Sequence, residues 1–196
     1  YPEYYNAYIA MAQTCNQIES EYMAYDYMKA QYEQLGNIKM VEKFENCPIR
    51  ESDEMYTKYF SSSLRDTAMH ELGVGTTRDM DSVISGIFFP SLRCKAYTWQ
   101  ERINLWRGKG LSAQFPVVND STHFNAFGEV PSLQIPIYFF AGKYDYTCCF
   151  DLQYEYYEQI DAPIKEFYVF ENSAHSPIFE EPEEAAKLFE EILEAE

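Results

Sequence analysis

The chain has 196 residues, of which 46% are hydrophobic and 17% aromatic, and its formal net charge is −17. This composition is typical of a globular protein with a sizeable core, not of a disordered segment. The acidity argues against nucleic-acid binding and against an anionic membrane surface, and no stretch has the apolar length of a membrane span.

The first 13 residues are typical of a loop followed by a short buried strand. The loop is the segment Tyr-Pro-Glu-Tyr-Tyr, and the apolar run Ala-Tyr-Ile-Ala-Met-Ala occupies residues 7–12. From residue 14 to about residue 130 the pattern changes, and apolar positions recur at helical spacing. A one-sided stripe over residues 18–35 predicts a helix that ends at Gly36, and a shorter helix is predicted over residues 38–44.

Further helices are predicted downstream in the same block. One covers residues 52–69, and another covers residues 80–90 and is expected to end at its proline. Thr98 and Glu101 form a capping box ahead of a helix that Gly108 is expected to help end. We interpret most aromatic and methionine residues of this block as helix–helix core, so none of them is assigned to a substrate.

The C-terminal third contains two predicted strands, each followed by a turn with one titratable group. The strand over residues 135–141 is a continuous apolar run, typical of a strand covered on both faces, and Asp145 follows it. The strand over residues 166–170 is rich in aromatic and β-branched residues, and His175 follows it. Helical spacing between the two strands predicts a helix over residues 150–160.

A strand–helix–strand unit of this size predicts a parallel pair of strands with a right-handed crossover. Parallel neighbours bring their carboxyl ends to one edge of the sheet, so we expect Asp145 and His175 to lie side by side. A buried aspartate beside a histidine fixes the imidazole tautomer and stabilises the imidazolium that forms in base catalysis. Taken separately, each residue could be an ordinary turn or surface residue; the joint arrangement favours a catalytic pair.

The two segments resemble those of a known family. Ile-Pro-Ile-Tyr-Phe-Phe-Ala-Gly-Lys-Tyr-Asp-Tyr resembles the strand-and-acid segment of α/β-hydrolases, and Phe-Glu-Asn-Ser-Ala-His-Ser-Pro-Ile-Phe-Glu-Glu-Pro-Glu resembles their catalytic-histidine segment. The closest branch is the one that resembles proline iminopeptidases. The resemblance implies that Asp145 is the triad acid and His175 the general base of a hydrolase that cleaves an ester, amide or N-terminal peptide bond.

The resemblance also implies a fold, namely the C-terminal part of an α/β-hydrolase parallel sheet with flanking helices and an inserted helical cap. Residues 1–13 would hold a core strand, residues 14–130 the cap, and residues 131–196 the C-terminal half of the core. The sequence contains neither the nucleophile elbow Gly-x-Ser-x-Gly nor a His-Gly-type oxyanion loop. We therefore expect the nucleophilic serine to lie outside this chain and the chain alone to be inactive.

The cysteines give no sign of a metal centre. Cys15, Cys47, Cys94, Cys148 and Cys149 are odd in number and lack a C-x-x-C spacing. A reduced, cytoplasmic setting is the simplest account, and we predict no cofactor and no metal. A metal or redox site that combines the Cys148–Cys149 pair with His175 is a weaker alternative, because nothing else supplies ligands at usable spacing.

A non-catalytic module of cap and sheet that self-associates is an alternative from another class. Without earlier strands, the strand over residues 7–12 would have an unpaired edge, and such an edge recruits a partner chain. We expect a homo-oligomer or association with the missing N-terminal part, together with a small-molecule or peptide substrate. Neither a nucleic acid nor a membrane is expected as a partner.

Overall fold

A parallel sheet is the framework of the fold in a computed structural model, which describes residues 1–112 and 114–195. In these residues the sheet has three strands, β1 (Tyr8–Met11), β2 (Ile137–Gly142) and β3 (Lys165–Phe170), which lie side by side in that order. Both neighbouring pairs are parallel, as predicted for β2 and β3. β1 and β3 are therefore the outer strands.

β2 is the central strand, and all six of its residues are buried. Phe139 pairs with Ala10 of β1 on one side and with Phe167 of β3 on the other. Phe139 packs in an apolar cluster on one face of the sheet, and Phe140 packs in a second cluster on the opposite face. Burial on both faces explains why this stretch is a continuous apolar run and does not alternate.

Helices fill the chain between β1 and β2. They are α1 (Gln17–Gln34), α2 (Ile38–Glu45), α3 (Asp53–Phe60), α4 (Ser63–Glu71), a π-helical turn (Ile84–Phe88), α5 (Phe89–Arg93), α6 (Trp99–Ser112), α7 (Pro116–His123) and α8 (Ala126–Glu129). The first four helices begin at Asn16, Asn37, Ser52 and Ser62, whose side chains each accept a hydrogen bond from a first-turn N–H. Such caps satisfy donors that have no partner within the helix.

Three helix boundaries in this block differ from the prediction. The predicted helix over residues 52–69 is two helices, because Ser62 begins the second one. The predicted helix over residues 80–90 is a π-helical turn followed by α5, and Pro90 lies in the first turn of α5, where its missing N–H costs nothing. Gly108 lies inside α6, which continues for another turn.

The remaining helices pack on the two faces of the sheet. α9 (Phe150–Gln159) connects β2 to β3 and contributes Leu152 to the cluster around Phe139. α10 (Pro177–Glu180) and α11 (Pro182–Ala195) follow β3, and Leu188 of α11 joins the cluster around Phe140. Among the described residues, we find no helix with the length and apolarity that a membrane crossing requires.

The arrangement is α/β-like, but the prediction that the chain is the C-terminal part of an α/β-hydrolase sheet with an inserted cap was wrong. The described residues form a small sheet of three parallel strands, and helices dominate the rest. The error has a physical reason. Any parallel sheet with chemistry at its carboxyl edge needs a buried strand followed by a turn with a titratable group, so similarity of two segments does not specify the larger fold.

Candidate functional site

A buried aspartate and a partly exposed histidine meet at the carboxyl edge of the sheet. Asp145 follows β2 and His175 follows β3, and Asp145 Oδ2 lies 3.0 Å from His175 Nδ1. The side chain of Asp145 is 0% exposed and that of His175 is 31% exposed. The two residues singled out in the sequence thus lie side by side, and the histidine remains within reach of a ligand.

The carboxylate of Asp145 is held in one orientation by several donors. Its Oδ1 accepts hydrogen bonds from the backbone N–H groups of Thr147 and Cys148, each at 2.9 Å. Its Oδ2 accepts from the side-chain amide of Gln153 at 3.3 Å and faces His175. An ionised carboxylate can accept hydrogen bonds but cannot donate them, so we assign the proton of the neutral imidazole to Nδ1. Nε2 is then the unprotonated nitrogen, which can take up a proton.

The pKa of His175 lies above its ordinary value. Burial lowers this pKa, but the hydrogen bond to Asp145 and the negative charge of that carboxylate raise it by more. Arg65 also lowers it and Glu180 raises it, each through its charge. The surroundings of His175 therefore favour the imidazolium, the species that a general base becomes when it takes a proton.

Backbone hydrogen bonds fasten the two turns together. The N–H of Lys143 donates to Phe170 O and the N–H of Tyr144 donates to Ser173 O, both at 3.0 Å. These bonds extend the ladder of β2 and β3 into the turns that follow. Main-chain hydrogen bonds therefore set the position of the turn with Asp145 relative to the turn with His175.

A third segment, which the sequence analysis missed, contacts both turns. The carbonyl of Val74 accepts a hydrogen bond from the N–H of Tyr146, and the carbonyl of Gly75 accepts one from the N–H of His175, both at 3.2 Å. These two residues follow α4 and are buried. Backbone carbonyls carry no residue-type signal, so no sequence pattern could have identified this contact.

Two glutamates at the junction of α10 and α11 hold the turn that contains His175, here called the histidine turn. Glu181 accepts from the N–H of Asn172 at 3.0 Å and from the hydroxyl of Ser173 at 2.6 Å. Glu180 accepts from the N–H of Ala174 at 2.9 Å. Ser173 is fully buried and donates to Glu181, so its hydroxyl is part of the turn's structure and not a nucleophile.

Gln153 of α9 is the other residue that sequence reasoning missed. It is 0% exposed, and its side chain links three elements. Its Oε1 accepts from the N–H of Gln13 at 3.0 Å, and its Nε2 donates to Asp145 Oδ2 at 3.3 Å and to Cys148 O at 2.5 Å. Gln153 thereby ties the acid turn to the chain that follows β1.

The inward face of α9 includes a polar residue. Leu152, Gln153 and Tyr156 are the buried residues of this helix, whereas Tyr154 is 47% exposed. A polar residue on the inward face lowers the apolar periodicity, so helical spacing alone does not single out this face.

A buried ion pair joins α1 to α4 near this site. Glu21 is 0% exposed and Arg65 15% exposed, and Arg65 Nε lies 2.7 Å from Glu21 Oε2 while Nη2 contacts Oε1. The side chain of Gln17 also donates to Glu21, at 3.0 Å. Because Arg65 lowers the pKa of His175 through its charge, this pair belongs to the electrostatic surroundings of the site.

The two adjacent cysteines are buried thiols. Burial raises the pKa of Cys148 to about 12 and that of Cys149 to about 11, so both are neutral at pH 7. A neutral thiol is a poor nucleophile and a poor metal ligand. Within residues 1–112 and 114–195, no three or more His, Cys, Asp or Glu side chains are grouped to hold a metal ion.

Comparison with known proteins gives one further indication. Over 183 residues the chain is 26% identical to the Bacillus subtilis (strain 168) protein called probable aminopeptidase YbaC. The match covers 92% of the chain and 55% of that protein, so the chain spans about half the length of the curated relative it matches. No family model and no solved structure matches the chain.

Proposed function

We propose that this chain supplies the general base, His175, and its aspartate partner, Asp145, to a peptidase-like hydrolase of the serine type. The observation that carries the proposal is the 3.0 Å contact between a fully buried carboxylate and a partly exposed imidazole. Similarity to a probable aminopeptidase supports peptide hydrolysis as the activity of the whole protein. The substrate bond would be an ester, an amide or an N-terminal peptide bond.

The mechanism follows from the two nitrogens of His175. Nδ1–H donates to Asp145, and Nε2 has no hydrogen-bond partner among the described residues. Nε2 takes the proton of a serine hydroxyl as its oxygen attacks the carbonyl carbon, and Asp145 stabilises the imidazolium that results. The imidazolium then gives the proton to the leaving amine or alcohol, and an activated water releases the acyl group by the same route.

The serine that this mechanism needs is proposed to lie outside these 196 residues. The sequence has no Gly-x-Ser-x-Gly, and the hydroxyl of Ser173, the buried serine in the histidine turn, donates a hydrogen bond to Glu181. The chain on its own is therefore proposed to be inactive. It would contribute the acid and the base to a site that is completed by a polypeptide carrying the serine.

The test uses the full polypeptide that contains both this chain and the serine. Turnover of an aminoacyl p-nitroanilide and labelling by a fluorophosphonate are measured for the wild type, His175→Gln and Asp145→Asn. We expect both variants to lose roughly 10³–10⁴-fold in kcat, because each removes a member of the triad. Fluorophosphonate labelling should slow in parallel, since that reagent needs the same activated serine.

Two matched variants make the same substitutions at positions outside the candidate site, and so show whether the loss of any histidine or aspartate lowers turnover. His123→Gln and Asp151→Asn change exposed residues of the same types, and both should retain wild-type turnover. Unchanged turnover in His175→Gln would overturn the assignment of the base. Loss of activity with a metal chelator, together with normal activity of His175→Gln, would assign the reaction to another class of hydrolase.

A further inference from the structure

Residues 84–112, here called the basic segment, form a helical unit without a buried residue of their own. The unit comprises the π-helical turn, α5 and α6. Its parts hold together through Trp106, whose ring lies 4.9 Å from that of Phe88 and whose Nε1 donates to Ser91 at 2.9 Å. No residue of the unit belongs to the three apolar clusters of the core.

Large apolar side chains of the basic segment are exposed. Trp99 is 71% exposed, Ile84 62%, Leu111 56% and Ile103 51%. Apolar surface that is gathered in one part of a protein usually marks an interaction site. Trp and Arg, both present here, are the residues that dominate the binding energy of protein interfaces.

The charge of the basic segment is opposite to that of the rest of the chain. It carries five cations, Arg93, Lys95, Arg102, Arg107 and Lys109, against one carboxylate, Glu101, a local charge of +4. Because the whole chain carries −17, the remainder carries −21. Among the described residues, none of the five cations forms a salt bridge, and Glu101 is bound to Thr98 as its helix cap.

Two aromatic rings of the basic segment each lie beside a cation of the same segment. Arg102 lies 4.6 Å from the ring centroid of Trp99, and Lys109 lies 5.4 Å from that of Trp106. A carboxylate that approaches these cations would also meet the apolar rings beside them. The surface therefore fits a partner that presents acidic and apolar side chains together.

The outward face of α11 has that complementary composition. It exposes Glu183, Glu184, Glu190, Glu191 and Glu194, and the exposed Lys187 pairs with two of them, Glu184 and Glu191. The buried residues of the helix face the sheet. Exposed apolar residues accompany these carboxylates, since Leu193 is 76% exposed and Phe179, just before α11, is 78% exposed.

We propose that the basic segment of one copy of this chain docks on the outward face of α11 of a second copy. Apolar contact would supply affinity, and the opposite charges would set the orientation. If the same two copies engage reciprocally, each through both surfaces, the two contacts are equivalent and the assembly closes as a two-fold dimer. A nucleic acid or an anionic membrane fits less well, because the remaining −21 charges would repel it.

The first experiment measures the mass of the chain in solution by light scattering at about 50 and about 500 mM salt. We expect a dimer that dissociates more readily at high salt, because salt screens the attraction between charges on the two surfaces. Two copies that each carry −17 repel one another, so a dimer held by apolar contact alone would become tighter with salt. A monomer at both salt concentrations, or a dimer that salt strengthens, would overturn the proposal.

Charge reversal then tests the named surfaces. The variant Arg102→Glu/Lys109→Glu should raise the dissociation constant by about tenfold or more. The control variant Lys39→Glu/Lys58→Glu changes the net charge equally at exposed positions outside the segment, and its dissociation constant should rise less. Equal effects of the two variants would mean that only net charge matters, which would contradict docking at the basic segment.

A charge swap distinguishes this pairing from any other contact. Self-association should also weaken in the variant Glu190→Lys/Glu194→Lys. This variant should nevertheless form a heterodimer when it is mixed with Arg102→Glu/Lys109→Glu. In that heterodimer one contact joins the two altered surfaces and the other joins the two unaltered ones, so the charges are opposite at both. Failure of the mixture to associate would overturn the proposal. So would tight binding of the monomeric chain to vesicles that contain one-third phosphatidylserine, since this would assign the basic segment to a membrane.

Discussion

Gly142, at the end of β2, lies so close to the carbonyl of Ala174 that no side chain fits between them. A Cβ atom at position 142 would be 1.8 Å from Ala174 O and 2.8 Å from Ser173 O. Both contacts are with backbone, which cannot rotate away as a flexible side chain can. Since Ala174 immediately precedes His175, the missing side chain is what allows the base to reach Asp145.

We expect Gly142→Ala to displace the histidine turn and to lower the free energy of unfolding. Overpacked positions typically lose about 1–3 kcal/mol, and a contact with backbone places this one at the upper end. Urea denaturation checks the stability, and the NMR shift of the His175 ring checks the contact with Asp145. Gly128→Ala is the control, because its Cβ would meet nothing within 4 Å. Equal stability of the two variants would contradict the role given to Gly142.

Gln153 is expected to be needed for stability although it is polar and buried. Gln153→Met keeps the length of the side chain but leaves the N–H of Gln13 and the carbonyl of Cys148 without this partner. Each buried polar group that loses its partner costs about 1–3 kcal/mol. Gln159→Met, at an exposed position of the same helix, should cost less than about 0.5 kcal/mol. The comparison is made by urea denaturation, and similar midpoints for both variants would refute the expectation.

Stability should depend on pH through His175. Its pKa in the folded chain lies above the ordinary value of 6.5, so folding favours the protonated ring. The stabilisation is complete below the unfolded pKa and is lost as the pH rises through the folded pKa. The free energy of unfolding should therefore fall across that window, which begins near pH 6.5.

Asp145→Asn provides the comparison for this pH dependence. The substitution removes the charge that raises the pKa of His175 and leaves the burial that lowers it. The fall in stability above pH 6.5 should then disappear, and if burial dominates, stability should instead rise with pH up to about 6.5. Urea denaturation at several pH values measures both proteins, and parallel pH profiles for the wild type and the variant would show that another group is responsible.

The buried ion pair of Glu21 and Arg65 should show a strong asymmetry between single and double substitutions. Arg65→Met leaves a carboxylate that is 0% exposed without its cation, which we expect to cost about 3–5 kcal/mol. The double variant Glu21→Met/Arg65→Met should recover much of that loss, because no uncompensated charge remains. The measurement is a double-mutant cycle of unfolding free energies.

The control for this cycle is an ion pair on the surface. Arg50 and Asp26 are 48% and 59% exposed, with nitrogen and oxygen 2.7 Å apart, so removal of either should cost less than about 1 kcal/mol. If the two pairs gave equal coupling energies, burial would not be the source of the asymmetry.

The sequence was sufficient to predict the two strands and the helix that carry the candidate site. The strand predicted over residues 135–141 is observed at Ile137–Gly142, and the one predicted over residues 166–170 at Lys165–Phe170. The capping box was also predicted correctly, since the N–H of Thr98 donates to Glu101 at 2.7 Å and the N–H of Glu101 donates to Thr98 at 3.3 Å. These features depend on neighbours in sequence, so local patterns contain them.

The supports of the site were not predictable, because they depend on distant parts of the chain. Val74 and Gly75 act through their carbonyl groups, which every residue has. Gln153 is buried although most glutamines are solvated, so its residue type gives no sign of its position. The overall fold was predicted wrongly for a related reason: the larger fold depends on long-range packing, which the two recognisable segments do not encode.

The contacts of Val74 and Gly75 have a consequence for how the acid–base pair responds to its surroundings. Both turns are attached to the end of α4, so a tilt of α4 would pull Tyr146 and His175 together or apart. The distance between the carboxylate of Asp145 and the imidazole of His175 therefore depends on the position of α4 relative to the sheet. A displacement of these two carbonyl groups would therefore change the basicity of His175 without any contact with its ring.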